Sequence, residues 1–144
     1  MQIDETDKAL LAALADNARA PVAVLARRLG LARTTVQARL ERLEATGVVQ
    51  GYTVQLNARM TAPLQATVLI SIEPRSGPTV LSRLTSLPGV NRVHTTSGRF
   101  DLIASLQAET TEELDEMLDS IGEAKGVKSS ESLIHLATKI DRRG

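Results

Sequence analysis

Apolar residues recur at helical spacing through the N-terminal third of the chain, separated by glycine, proline and short polar connections. This pattern predicts a first helix that begins at Asp4, whose carboxylate can accept a backbone N–H of the first turn. A second helix starts at about Pro21, whose missing N–H is harmless in a first turn, and ends at Gly30. A third helix over residues 33–46 and a strand over residues 48–56 complete a small N-terminal domain.

Residues 25–52 read LARRLGLARTTVQARLERLEATGVVQGY, two helical segments joined at the tight turn of Gly30. Val36, Leu40 and Leu43 give the second segment one buried face, so the arrangement is a helix-turn-helix. The opposite face carries donors that suit base edges and phosphates in a DNA major groove. We therefore predict a DNA-binding face with phosphate contacts from Arg28, Arg39 and Arg42. The predicted base-edge contacts are Arg33, Thr34, Thr35 and Gln37.

The second half of the chain alternates strand and helix patterns in a β-α-β-β-α-β order. This order predicts an α+β, ferredoxin-like domain in which two helices cover one face of an antiparallel sheet. We expect Leu69, Ile103, Ile134 and Leu136 to form an apolar patch on the uncovered face, which then packs on another subunit. The predicted strands cover residues 66–73, 90–96, 100–107 and 127–140, and the predicted helices cover residues 77–87 and 111–122.

A segment without periodicity separates the two halves. Residues 57–64 read NARMTAPL and include Pro63, which favours a connection between domains. We place a DNA-binding domain with a hinge strand at residues 1–60. An effector-binding and oligomerisation domain follows at residues 61–144.

Charge and composition narrow the classes of function. The chain has 17 basic and 17 acidic residues, so only the local cluster of arginines between Arg27 and Arg42 favours nucleic acid. Those arginines could instead simply solvate a helix face. An aromatic content of 1% argues against a stacking surface for single strands. The chain has no cysteine, no secretory signal and no run long enough to span a membrane, so we expect a cytoplasmic protein.

No residues form a convincing catalytic or metal site. His94, Ser97 and Asp101 have the chemistry of a triad, but they lie along one predicted hairpin, where alternate side chains point to opposite faces. His94 and His135 lack neighbouring ligands at metal-binding spacing. We expect a protein that is not an enzyme and that holds no metal or cofactor.

Three segments together resemble the Lrp/AsnC family of transcriptional regulators: IDETDKALLAALADNARA, the helix-turn-helix segment above, and TTSGRFDLIASL. The resemblance implies a winged-type helix-turn-helix domain joined to a ligand-sensing domain. It also implies dimers that assemble into tetramers or octamers, with an amino acid or related metabolite as effector. Two positions depart from the family pattern, since Ala32 and Pro21 stand where helix-capping side chains are common, and a lost cap costs about 0.5–2 kcal/mol.

The same resemblance places the effector between subunits, near a glycine-containing hairpin loop. Gly98 permits a close backbone approach, Asp101 can accept from an α-amino group, and Arg99 can hold an acidic ligand. Alternatively, the loop is only a turn in which Asp101 caps backbone groups and Phe100 packs. The matching positions are Thr95, Thr96, Ser97, Gly98, Arg99, Phe100 and Asp101, with Ser130 and Ser132 as neighbours.

Three other functions stay open at this point. The chain could be an architectural protein that coats or bends DNA with weak sequence preference and no effector. It could be a metabolite-binding module whose DNA affinity has decayed, which the missing cap at Ala32 favours. Conversion of a small molecule by the second domain is the most distant alternative.

Overall fold

The computed structural model describes residues 2–57 and 59–142, which form five helices and four strands. They separate into two compact units: the first comprises the described residues up to Gln55 together with Arg142, and the second spans Leu56–Asp141. The division that the sequence predicts, between residues 60 and 61, lies in the same connection. The first unit contains α1 (Glu5–Asp16), α2 (Val22–Leu29) and α3 (Arg33–Ala45). The second contains β1 (Leu64–Ile72), α4 (Gly77–Thr85), β2 (Val90–Thr95), β3 (Leu102–Ala108), α5 (Thr111–Gly122) and β4 (Val127–Ile134).

Three helices of the first unit share one core. Leu10 of α1, Leu25 of α2, and Val36 and Leu43 of α3 are fully or almost fully buried in it. The first helix begins after Asp4 as the sequence predicts, because Asp4 Oδ1 accepts a 2.8 Å hydrogen bond from the backbone N–H of Asp7. The apolar spacing therefore places each helix with its buried stripe toward the others.

The turn between α2 and α3 depends on Gly30. This residue ends α2 with φ of +67°, a left-handed conformation that costs glycine little. No side chain caps the start of either helix: Pro21 precedes α2, Ala32 precedes α3, and neither provides a side-chain hydrogen bond. The two departures from the family pattern thus leave both helix starts without this stabilisation.

The hinge strand predicted over residues 48–56 is wrong. The described part of the first unit contains no strand. Tyr52, Val54 and Leu56 are exposed at 53%, 76% and 46%. A strand requires backbone hydrogen bonds to a neighbouring strand, and an alternating sequence pattern does not supply that neighbour.

The second unit is an antiparallel sheet in the order β2-β3-β1-β4, packed against α4 and α5. Its buried side is formed by small and branched side chains of β1 and β3, including Val68, Ile70 and Leu106, which pack against Val80 and Ile121. This topology confirms the predicted α+β, ferredoxin-like class. None of the helices in the described ranges is long and apolar enough to cross a membrane.

The predicted apolar patch is wrong for two of its four residues, Ile134 and Leu136. Leu69 pairs with Ile103 on the uncovered face as expected, but Ile134 pairs with Ala66, whose side chain is buried on the helix side. Leu136 lies beyond β4 and is 96% exposed. The predicted strand ran to residue 140, whereas β4 ends at Ile134. Leu133, one position away, is the residue that faces the uncovered side.

Candidate nucleic-acid interface and ligand region

The start of α3 presents a polar face. Arg33, Thr34 and Thr35 are exposed, and within the described part of the chain they make no hydrogen bond or ion pair through their side chains. Val36 and Leu43 are fully buried on the other side of the same helix and fix its rotation about its axis. The helix therefore offers its first turn to a ligand that accepts hydrogen bonds.

Two further predicted DNA contacts form surface pairs. Gln37 Nε2 donates to Glu41 Oε1 at 3.0 Å, one helical turn along α3. Arg28 Nη1 lies 3.4 Å from Asp16 Oδ2, with the two side chains 53% and 71% exposed. An exposed ion pair such as Arg28–Asp16 contributes about 0–1 kcal/mol, so a phosphate can replace Asp16 at little cost.

Arg39 and Arg42 have stronger partners on α1. Arg39 Nη1 donates to both carboxylate oxygens of Asp4 and to Asp7 Oδ1, each at 2.9 Å. Arg42 Nη2 donates to Asp7 Oδ2 at 2.6 Å. The Asp7 side chain is 1% exposed, against 24% for Arg39 and 48% for Arg42.

The sequence did not predict this cluster. Along the sequence, Glu41 and Glu44 are the acids nearest to the two arginines on the same helix. The actual acids lie 32 and 35 residues earlier. The available signal was the position of Asp7, which lies on the same side of α1 as the apolar stripe, where an acid becomes buried.

The cluster holds Asp4 and Arg39 in their charged forms. The pKa of Asp4 lies below its ordinary value of 3.8, first because the backbone N–H of Asp7 donates to it and second because Arg39 does. The pKa of Arg39 is raised by its hydrogen bonds to Asp4 and Asp7. Beside the cluster, the exposed surface of α3 forms an open groove. Its lining residues are Thr34, Thr35, Ala38, Arg39 and Arg42.

The predicted ligand loop connects β2 to β3. The backbone N–H of Thr96 donates to the carbonyl of Asp101 at 3.0 Å, and Thr96 Oγ1 donates to the carbonyl of Phe100 at 2.8 Å. Gly98 has φ of +107°, and no atom lies within 4 Å of the position that a Cβ would take. The Arg99 guanidinium lies 5.2 Å from the centre of the Phe100 ring. The loop is thus braced at its base and open at Gly98.

Ser130 and Ser132 do not lie on the uncovered sheet face. Ser130 pairs with Ile70 and Ser132 pairs with Val68, so both share the side of β1 that faces the helices. On the other side of β1, Ile70 pairs with Leu102, the first residue of β3. Ser130 therefore lies at the same end of the sheet as the loop. Two strand spacings, about 9–10 Å, separate Ser130 from the start of β3.

The two histidines lie at opposite edges of the sheet. His94 is on β2, and His135 follows β4, where its Nε2 is 2.8 Å from Thr67 Oγ1. Two edges of a four-stranded sheet cannot supply ligands to one ion. Across residues 2–57 and 59–142, no group of three or more histidine, aspartate or glutamate side chains is arranged to hold a metal.

Comparison with known proteins covers both units. The sequence model of the AsnC-type helix-turn-helix domain matches residues 3–44, and that of the Lrp/AsnC ligand binding domain matches residues 65–144. An uncharacterised HTH-type transcriptional regulator of Pyrococcus furiosus is 34% identical over 141 residues, with 94% of each chain covered.

Solved structures of other proteins are similar to this chain over almost its whole length. The structure of E. coli AsnC gives a TM-score of 0.88 at 25% identity, covering 99% of this chain and 98% of that one. A transcriptional regulator of Neisseria meningitidis, solved as a complex with L-Met, gives 0.87 at 23% identity, covering 98% and 94%. The second likeness concerns the fold alone. With a DNA-binding and a ligand-binding domain both matched, the chain belongs to the Lrp/AsnC family of DNA-binding transcriptional regulators.

Proposed function

We propose that the chain is a sequence-specific regulator whose α3 enters the major groove of double-stranded DNA. The observation that carries this proposal is the exposed donor face at the start of α3, held outward by the buried Val36 and Leu43. Arg28 and Arg42 contact phosphates. Arg39 leaves the predicted phosphate set, because its guanidinium is already bound to two carboxylates. The base-edge contacts are Arg33, Thr34, Thr35 and Gln37.

A small molecule, most simply an amino acid, controls this DNA binding. Support comes from the ligand-binding domain of the family and from the L-Met complex of the Neisseria relative. The open backbone at Gly98 and the exposed guanidinium of Arg99 provide groups for a carboxylate. Asp101 shapes the loop through one oxygen and can accept from an ammonium group. The proposed positions are Thr95, Thr96, Ser97, Gly98, Arg99, Phe100, Asp101, Ser130 and Ser132.

The regulator works as a homo-oligomer. Leu69 and Ile103 pair on the uncovered sheet face, Leu133 lies on the same side, and a second copy of the chain covers them. Dimers then assemble into tetramers or octamers. We propose domains at residues 1–60 and 61–144, no catalytic activity, and a cytoplasmic location beside the DNA. The relatives are transcriptional regulators, which supports this assignment.

The test is selection of enriched sites from random duplex DNA, with each amino acid added in turn. Arg33→Ala is compared with Arg83→Ala, an exposed arginine on α4 of the other unit. We expect a roughly palindromic site with half-sites about 34–36 Å apart or a multiple of that distance. Arg33→Ala loses the preference for this site and Arg83→Ala keeps it.

Other outcomes identify the alternatives. Salt-sensitive retention of all DNA without an enriched site contradicts sequence specificity and indicates an architectural protein. Binding of an amino acid without retention of DNA indicates a metabolite-binding module. An enriched site that no amino acid alters leaves the DNA proposal intact and contradicts the amino-acid effector.

A further inference from the structure

We infer that Asp7 is a positioning residue for DNA recognition, and that Arg39 holds the recognition helix against α1 instead of contacting phosphate. The inference rests on the proposed function of α3. It concerns a buried carboxylate whose two oxygens are each bound by a different arginine of that helix. Arg39 and Arg42 lie on one face of α3, and Asp7 lies opposite them on α1.

Three donors contact the Asp7 carboxylate. Oδ1 accepts from Arg39 at 2.9 Å, and Oδ2 accepts from Arg42 at 2.6 Å and from the backbone N–H of Asp4 at 3.4 Å. A carboxylate with 1% exposure has lost its water, and a charge in that environment must be paired and hydrogen-bonded. Removing one partner of such a group is strongly unfavourable, because the remaining charge stays buried. Asp7 therefore fixes where α3 sits on α1.

Arg39 and Arg42 differ in what remains for DNA. Arg39 donates through Nη1 to three carboxylate oxygens, and only 24% of its side chain is exposed. Arg42 donates through Nη2 to one oxygen of Asp7, and 48% of its side chain is exposed. A guanidinium has five N–H donors, so Arg42 can stay on Asp7 and still donate to a phosphate. Arg39 pairs with two carboxylates, Asp4 and Asp7, whereas Arg42 pairs with Asp7, so less positive charge at Arg39 is left for a phosphate.

The position of the cluster along α3 explains its effect on recognition. Arg39 lies six residues after Arg33, which is about 9 Å along a helix. A helix is stiff over this length, so a tilt or slide at the cluster displaces the first turn as well. Base-edge hydrogen bonds tolerate little displacement, whereas a phosphate contact depends mainly on charge. Loss of the Asp7 contacts should therefore reduce sequence discrimination more than it reduces general DNA affinity.

The experiment compares Asp7→Asn, Arg39→Gln and Arg42→Gln in the full chain. Affinity for the enriched duplex and for a scrambled duplex is measured across a salt series, at a temperature where circular dichroism shows native helix content. We expect Arg42→Gln to reduce the slope of log affinity against log salt by about 0.9, which is one phosphate contact. Arg39→Gln and Asp7→Asn should keep the slope and lower the cognate-to-scrambled ratio by about 5-fold or more.

A slope reduced by about 0.9 in Arg39→Gln would overturn the inference, because Arg39 would then be a phosphate contact. An unchanged cognate-to-scrambled ratio in Asp7→Asn, with native helix content, would also overturn it. A role in stability alone lowers the melting temperature without moving that ratio. If Asp7→Asn does not fold, Asp4→Asn replaces it, since this change weakens the hold on Arg39 while Asp7 stays in place.

Failure of the proposed function gives a different result. If the unaltered protein prefers no sequence, the regulator proposal is wrong, but the salt slopes on any duplex still distinguish Arg39 from Arg42. Equal slopes for the unaltered protein and Arg39→Gln, with a lower slope for Arg42→Gln, support the assignment of Arg39 in that case. Equal losses in both variants contradict it.

Discussion

The carboxylate of Asp101 accepts a hydrogen bond from the backbone N–H of Ile72, with 2.8 Å between Oδ2 and the nitrogen. The backbone N–H of Asp101 donates in turn to the carbonyl of Ile70 at 2.9 Å. These two contacts fasten the loop between β2 and β3 to the end of β1. One of the roles considered from sequence, a carboxylate that caps backbone groups, is therefore present in the structure. The proposed ligand role uses the remaining acceptor capacity of the same side chain.

Asp101→Ala should destabilise the second unit by about 0.5–1.5 kcal/mol, the net value of a typical hydrogen bond. Asp101→Asn should cost less, because the amide oxygen can still accept from Ile72. Urea unfolding of both variants measures the difference. If amino-acid binding is lost in Asp101→Asn while its stability is nearly unchanged, the charge serves the ligand. Equal destabilisation by both variants would contradict the importance of the accepting oxygen.

Acid should weaken the first unit through Asp4. Its pKa is lower in the folded chain than its ordinary 3.8, so the ionised form stabilises the fold. This contribution is complete above pH 3.8 and is lost as the pH falls through the lowered folded value. Asp4→Asn keeps a capping oxygen but cannot ionise. The difference in unfolding free energy between the two proteins should therefore shrink as the pH falls, and a difference that stays constant would contradict this.

Tyr52 should titrate above its ordinary pKa of 10.0. Partial shielding of the phenol from water is the largest cause, although the residue as a whole is 53% exposed, and Glu44, which accepts a 3.0 Å hydrogen bond from the phenol, adds to it. The chain has one tyrosine and no tryptophan, so tyrosinate absorbance during an alkaline titration reports this residue directly. Glu44→Gln removes the charge and should lower the pKa partway. The stabilisation from the neutral phenol is present below pH 10.0 and disappears as the pH rises through the folded value.

Gly89→Ala should destabilise the second unit by about 1–3 kcal/mol through overpacking. An added Cβ would clash with Met117 Cε and lie 2.6 Å from the backbone oxygen of Gln107. The side chain can move, but Gln107 cannot, because its own N–H donates to the carbonyl of Gly89 at 2.9 Å. Thermal unfolding measures the loss.

Gly77→Ala is the matched control in the same unit. An added Cβ there meets only Ile72 Cδ1, at 3.9 Å, which is ordinary contact. Since Gly77 is the first residue of α4, alanine should leave stability unchanged or raise it slightly. Recovery of Gly89→Ala by Met117→Ala would show that the side chain alone causes the clash and would contradict the role of the Gln107 backbone.

The helices and the order of the elements follow from the sequence alone. Asp4 begins α1, Gly30 ends α2, and α5 spans Thr111–Gly122, each as predicted from capping residues and apolar spacing. These signals are local, because a helix satisfies its hydrogen bonds within its own segment and shows its buried face as a period of 3.6 residues. The β-α-β-β-α-β order likewise follows from segments that can be recognised one at a time.

Which segments contact one another depends on the tertiary fold. Asp7 and Arg39 are 32 residues apart, and only the packing of α1 on α3 makes them partners. The sides of Leu133 and Ile134 depend on the register of β4 against β1, and a shift of one residue exchanges them. Residues 48–56 alternate like a strand, yet the described part of that unit gives them no strand to pair with. Ion pairs between elements and paired strands require two segments in contact. The apolar periodicity of one segment indicates which of its faces is buried, but not which segment covers that face.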